Sequence, residues 1–280
     1  IEFARTFLKQ VSLGTSVGKL PVGAVPISPN YGGGWDPPWP LSGTQLITDK
    51  VFYLANEVAK AIKSEFPGKY VSLYMYGRNT EIPSFNLEPN IMVQIATAYN
   101  YGSLSLAQQI SGMKAKGVVV GIRDYMGVWN WSKDSPAFNL NLLKQLAWYA
   151  VQGIKIYKTE SYDGWGGGTG LANYLATKLL WNPNLSIDSL LDDFYTKAFG
   201  PAKVPMKKYF ENRNTTKEAL KVTFEALDEA ERLASGDNEI LERIRYQQYH
   251  NRYVWFWKNV GLTNLSLEKL KVENWIFEFF

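Results

Sequence analysis

Two acidic side chains stand directly after apolar, strand-like runs: Asp124 after GVVVGIR and Glu160 after IKIYKT. Carboxylates placed this way could act as a pair on a glycoside. One protonates the leaving oxygen, and the other serves as nucleophile, base or stabiliser of the cationic transition state. Rings and polar groups of the kind that hold sugars gather at the same positions. After the first such run comes SPNYGGGWDPPWP, with Asn30, Tyr31, Trp35, Asp36 and Trp39. After the second come Tyr76 and Arg78, and after the third Thr97, Tyr99, Asn100 and Tyr101. After the fourth come Tyr125, Trp129 and Trp131, and after the fifth Tyr162, Asp163 and Trp165. Rings confined to a core would not recur beside polar groups at the end of run after run.

Each of these residues also has a plainer role open to it. Asp124 could form a salt bridge with Arg123 or Arg78, and Glu160 could pair with Lys158 or accept hydrogen bonds from a loop. Asp36 and Asp163 read as loop-shaping residues. The three glycines before Trp35 allow close backbone approach, but they lack the spacing and the Lys-Ser/Thr ending of a phosphate loop. Cysteine is absent and His250 is the only histidine, within a helical stretch. A disulfide framework and a thiolate metal site are excluded, and a Ser-His-Asp triad or multi-histidine metal site is disfavoured. No cofactor or metal is expected, and acid–base chemistry falls to carboxylates and tyrosines.

The elements that must position these residues alternate. Strands are predicted over 23–28, 70–76, 91–99, 117–122 and 154–159. Helices are predicted over 48–66, 103–116, 139–152 and 170–181. The segment NTEIPSFNLEPN, between the second and third strands, is too proline-rich for a good helix. Nearly continuous apolar strands alternating with helices indicate parallel βα units. The spacing of roughly 30 residues per unit is that of a (β/α)8 barrel. The fold class is therefore α/β: about five βα units forming the carboxyl-terminal part of a TIM-type barrel, or an open α/β sheet. From Ser186 the chain turns all-helical, with helices expected near 187–199, 202–212, 216–234 and 238–259. The domain reading is a partial barrel over 1–185 and a helical extension over 186–280.

Composition narrows the partners. The 280 residues carry a net charge of +4 with no Lys/Arg run, so the isoelectric point near 8.9 does not imply nucleic acid. No apolar stretch is long enough to span a membrane. Aromatic content is high, with 10 Trp, 17 Tyr and 14 Phe, which suits a glycan partner. The aromatic stretches VWFWKN and ENWIFEFF suggest assembly, including self-assembly, through the carboxyl-terminal helices, or packing onto the barrel. The opening IEFARTFLKQ has neither initiator Met nor signal pattern, so the chain reads as a mature or partial piece.

Several longer stretches carry a resemblance. ISPNYGGGWDP, VFYLANEVAKAIKSEFPGKYVSLYMYG, GIKIYKTES and GLANYLATKLLWNPNLSIDSLLDDFYTKAFGPAKVPMKKYF resemble a large, mostly bacterial family of barrels. It is catalogued as a domain of unknown function and is similar to α-glucuronidases and β-hexosaminidases. Some members are assigned as endo-β-N-acetylglucosaminidases acting on N-glycans. The resemblance covers roughly residues 20 to 212. It implies an extracellular or cell-surface glycan-active barrel in which this chain holds the fourth to eighth strands. That family usually has an acid where Tyr31 stands here.

Two functions are therefore expected. In the first, the chain is a glycoside hydrolase, with Glu160 as acid/base, Asp124 as second carboxylate, and Trp35, Trp39, Trp129 and Trp165 as sugar platforms. In the second, it binds glycans without cleaving them, or serves as a surface or filament protein on a degenerate glycosidase barrel. Tyr31 in the acid's place keeps the question of catalysis open.

Overall fold

The computed structural model describes residues 1–12, 24–28, 44–126, 140–160 and 169–260. They form two compact units: the first built on 1–125 and 151–160, the second on the described parts of 126–150 and 161–280.

The first unit holds α1 (Glu2–Ser12), β1 (Ala24–Pro26), α2 (Thr44–Lys63), β2 (Tyr70–Gly77), β3 (Ile91–Asn100), α3 (Leu106–Ala115), β4 (Val119–Tyr125) and β5 (Ile156–Glu160). The five strands make one curled sheet in the order β1-β2-β3-β4-β5, every pair parallel. A doubly wound sheet reverses its strand order at a switch point. These strands never reverse. They follow one another as the staves of a barrel wall do, and all five carboxyl ends share one edge.

One face of the sheet is apolar and covered. Val71, Leu73 and Met75 of β2, Ile91, Val93 and Ile95 of β3, and Val120 and Ile122 of β4 are buried at every second position. Against it α2 sets Val51, Phe52, Ala55, Val58, Ala59 and Ile62, all buried and at helical spacing. Each large side chain so removed from water stabilises by about 1.5–3 kcal/mol. Gly68, at φ 76°, turns the chain out of α2 toward β2, a conformation that costs a residue with a Cβ. The helix α3 adds Ile110 and Met113, and its first turn is closed by a capping box between Ser105 and Gln108.

The crossover from β2 to β3 has no helix, as its prolines predict. Its backbone groups are satisfied by side chains of α2 and of α3 instead. Asp49 accepts from the Ser84 amide and Asn56 from the Glu88 amide, at 2.8 and 2.7 Å. Gln109 Nε2 donates to the Thr80 carbonyl at 2.9 Å. An added Cβ on Gly112 would meet Ile82 at 2.6 Å, so α3 rests directly on this segment.

The second unit is helical: α4 (Leu140–Val151), α5 (Thr169–Trp181), α6 (Ile187–Phe199), a 3-10 turn (Gly200–Ala202), α7 (Lys203–Glu211), α8 (Lys217–Leu233) and α9 (Asn238–Val260). Ser186 and Thr216 cap α6 and α8 through their hydroxyls. Its core is unusually aromatic, with Phe194, Tyr195, Phe199, Tyr209 and Phe210 in mutual ring contact. No helix among the described residues is long and apolar enough to cross a membrane.

Candidate functional site

The face of the sheet away from α2 and α3 is polar and only half-buried, and its carboxyl-terminal end carries the candidate site. Strand alternation puts Tyr74 and Tyr76 of β2, Arg123 and Tyr125 of β4, and Lys158 and Glu160 of β5 on this face. Register stacks them in rows. Arg123 is level with Lys158, and Tyr125 with Glu160.

A distortion of β3 brings in a further ring. Pairing runs evenly from Val71↔Ile91 to Met75↔Ile95, then jumps to Gly77↔Asn100, so Tyr76 alone lies opposite Ala96 through Tyr99. The bulge is closed by Asn100 Nδ2 donating to the Ala96 carbonyl at 2.7 Å and by the Tyr101 amide donating to the Gly77 carbonyl at 2.9 Å. Tyr99 takes φ 59°, and no other non-glycine among the described residues has a positive φ. That backbone costs on the order of 1–3 kcal/mol. It seats the Tyr99 ring 5.9 Å from Tyr76 and 5.7 Å from Tyr125, centroid to centroid. Two such ring contacts return about 0.5–1.5 kcal/mol each beyond their buried area, enough to offset much of the strain. Bulges that re-aim side chains in this way concentrate beside functional sites. Tyr99 itself is 36% exposed.

Below the rings lies a charged row. The Arg123 guanidinium sits 4.8 Å above the Tyr74 ring and 5.6 Å from that of Tyr125. It is ion-paired with Glu160. The Arg123 side chain is 14% exposed and that of Glu160 is 46% exposed, so the carboxylate is held from within and open to solvent outside. Lys158 Nζ donates to the Tyr74 hydroxyl at 2.8 Å. Burial pushes the Tyr125 phenol up to about 12, with the Arg123 charge opposing it, and burial beside Tyr99 and Tyr101 raises Tyr76. Both phenols therefore stay protonated near neutrality and can donate hydrogen bonds.

Asp124 lies on the other face. It is fully buried. Its Oδ1 accepts from Thr97 Oγ1 at 2.7 Å and from the Tyr125 amide at 2.9 Å, and its Oδ2 accepts from the Tyr157 hydroxyl at 3.1 Å. The carboxylate thus ties β3, β4 and β5 together just below the edge. Glu160 ends β5, while Asp124 stands one residue before the end of the neighbouring β4, and the structure does not bring their carboxyls onto one face. Asp124 pairs in register with Thr159, one residue out of phase with Glu160. The salt bridge of Asp124 with Arg123 or Arg78 is likewise replaced. Arg123 takes Glu160, and Arg78 is exposed, with no ion pair among the described residues.

Of the other expected site residues, Tyr76, Tyr99 and Tyr125 come together. Asn30, Tyr31, Trp35, Asp36, Trp39, Trp129 and Trp165 lie outside the described residues. Sequence reasoning missed Tyr74, Lys158 and Tyr157. Period two would have found the first pair, since Tyr74 and Lys158 stand two residues before Tyr76 and Glu160. It also missed Asn79, whose side chain donates to the Tyr74 carbonyl at 2.8 Å and accepts from the Tyr76 amide at 3.3 Å, pinning the end of β2.

Residues 40–212 match a family described as a domain of unknown function, DUF4838. No curated protein matches the chain.

Proposed function

The matched segment is more than half of the 280 residues, so the chain belongs to the DUF4838 family, and on that premise we propose that its sheet edge is a saccharide-binding site. One arrangement supports this reading above all: the rings of Tyr76, Tyr99 and Tyr125 stand together beside Arg123 and a solvent-open Glu160, at the end where parallel strands deliver their functional groups. Ring faces match the apolar faces of pyranoses. Guanidinium, carboxylate and phenol hydroxyls match the sugar's own hydroxyls. On this reading the five strands are the fourth to eighth of a (β/α)8 barrel, and the protein works outside the cell on glycans, including those rich in N-acetylhexosamine. The strained bulge at Tyr99 is then the structural cost of placing a ring in the binding row.

Hydrolysis is the second reading, and Glu160 favours it. Its exposed carboxylate, paired on the inner side with Arg123, suits a nucleophile or a stabiliser of an oxocarbenium-like transition state. Asp124, sequestered by three hydrogen bonds, would act as a positioning residue that sets the level of Tyr125. A glycan array run beside a hydrolysis assay on the retained glycans tests both. Retention that weakens in Tyr99→Ala, without cleavage, supports the binding reading. Cleavage that Glu160→Gln abolishes while retention persists supports the second. A chain that retains no glycan in the array overturns both.

A further inference from the structure

On the polar face of the sheet, Arg123 of β4 stands directly level with Lys158 of β5. Like charges placed opposite one another on neighbouring strands destabilise a sheet. Here both are also held on one side chain. The Arg123 guanidinium lies 4.8 Å from the Tyr74 ring centroid, and Lys158 Nζ donates to the Tyr74 hydroxyl at 2.8 Å. Neither contact supplies a counter-charge.

Only one of the two cations has one. Glu160 pairs with Arg123. Lys158 is exposed and makes no ion pair among the described residues. A lysine that needed only water has a flexible four-carbon stem with which to swing clear of a neighbouring cation. This one is anchored on the residue that Arg123 also covers. Departures from a local rule of this kind concentrate at functional sites. Arg123, Lys158 and Glu160 are the charged strand residues of this face, so it carries one positive charge in excess.

We infer that the sheet edge selects saccharides bearing a singly charged anionic substituent, and that Lys158 is the residue that reads it. The inference rests on the saccharide reading of the same site and names its substrate class. Charge balance sets the substituent. A uronic acid carboxylate or a sulfate ester carries one negative charge and brings the face to neutrality. A phosphate monoester carries nearly two and would overshoot. Glu160 does not bar the anion, because Arg123 already compensates its charge. The tyrosine rings take the apolar face of the pyranose, while Lys158, one row below Tyr125 and Glu160, meets the anion. A lysine is a point charge without the planar fork of arginine, so carboxylate and sulfate share the chemistry it recognises.

The test is an array in which every acidic glycan sits beside a neutral partner, uronates as their methyl esters and sulfated glycans in desulfated form. The full 280-residue chain should retain an acidic member about fivefold more strongly than its partner, the upper end of what a solvent-exposed ion pair supplies. Lys158→Met should bring that ratio close to one. Lys158→Arg keeps the charge and should preserve it. Lys155→Met removes the same charge just before β5 and should leave the ratio as in the parent. A preference confined to uronates assigns the carboxylate, and one confined to sulfated members assigns the sulfate; either supports the inference. Equal retention of acids and their neutral partners overturns it and leaves the saccharide reading standing. So does a preference that survives Lys158→Met, is lost with Lys158→Arg, or falls equally with Lys155→Met. A chain that retains no glycan overturns the saccharide reading and this inference with it.

Discussion

Tyr125, not Asp124, stands level with Glu160 across β4 and β5, so the two acids near the carboxyl ends of these strands point to opposite faces of the sheet. The two carboxyls do different work as a result. Asp124 is buried and accepts three hydrogen bonds. Glu160 is nearly half exposed and makes one ion pair.

That difference predicts a split between stability and function. Asp124→Ala removes the acceptor to which the Thr97 and Tyr157 hydroxyls and the Tyr125 amide donate. Unmade hydrogen bonds of this kind cost about 1–3 kcal/mol each, so losing three should cost the variant roughly 3 kcal/mol or more in urea unfolding. Glu160→Gln removes a partly exposed ion pair, worth about 0–1 kcal/mol, and should unfold close to the parent while its glycan binding or turnover changes. Equal destabilisation by the two substitutions would contradict the assignment of Asp124 to the buried face.

The strain at Tyr99 yields a second comparison. Tyr99→Ala removes the ring and keeps a Cβ at φ 59°. Tyr99→Gly removes the same ring and relieves the backbone. Glycine normally weakens a strand relative to alanine by roughly 0.5–1 kcal/mol, but here the order should reverse, with the Gly variant more stable by about 1 kcal/mol. Both variants should lose glycan retention. Urea midpoints with Ala above Gly would show that the bulge does not hold Tyr99 in a strained conformation.

Much of this frame was legible in the sequence, and the limits of that reading are physical. The helix α2, expected over 48–66, starts at Thr44 and ends at Lys63, because its apolar spacing marks the buried stripe but not the turn at which the chain enters it. The strand β4, expected to end at Ile122, runs on through Arg123, Asp124 and Tyr125. Charged residues there look like a loop, yet Asp124 belongs to the ladder because Thr97 and Tyr157 meet its charge from the neighbouring strands. Ring and carboxyl positions at strand ends could be read from pattern alone. Which face each one joins depends on stagger between strands, and the bulge that turns Tyr99 toward Tyr125 depends on backbone hydrogen bonds that no residue type announces. Arg213 is the counterpart in the helical unit: an arginine between two helices reads as a surface residue, and only the packing shows it buried.

The acid stability of the chain should depend on His250. Burial, followed by the charge of Arg213, lowers its imidazole from 6.5 to about 3. In the folded protein the ring stays neutral across that interval, while in the unfolded chain it takes up a proton as pH falls below 6.5. The unfolded state therefore binds more protons, and stability drops as pH falls from about 6.5 toward about 3, being fully present above the unfolded value. His250→Gln removes the titrating group and keeps a neutral polar side chain of similar reach. Its urea midpoint should fall less than the parent's between pH 7 and pH 4. Arg213→Met should shrink the parent's drop as well, since one of the two causes of the lowered value is gone. Parallel midpoints for parent and His250→Gln over that range would mean that the imidazole is not held neutral by its surroundings.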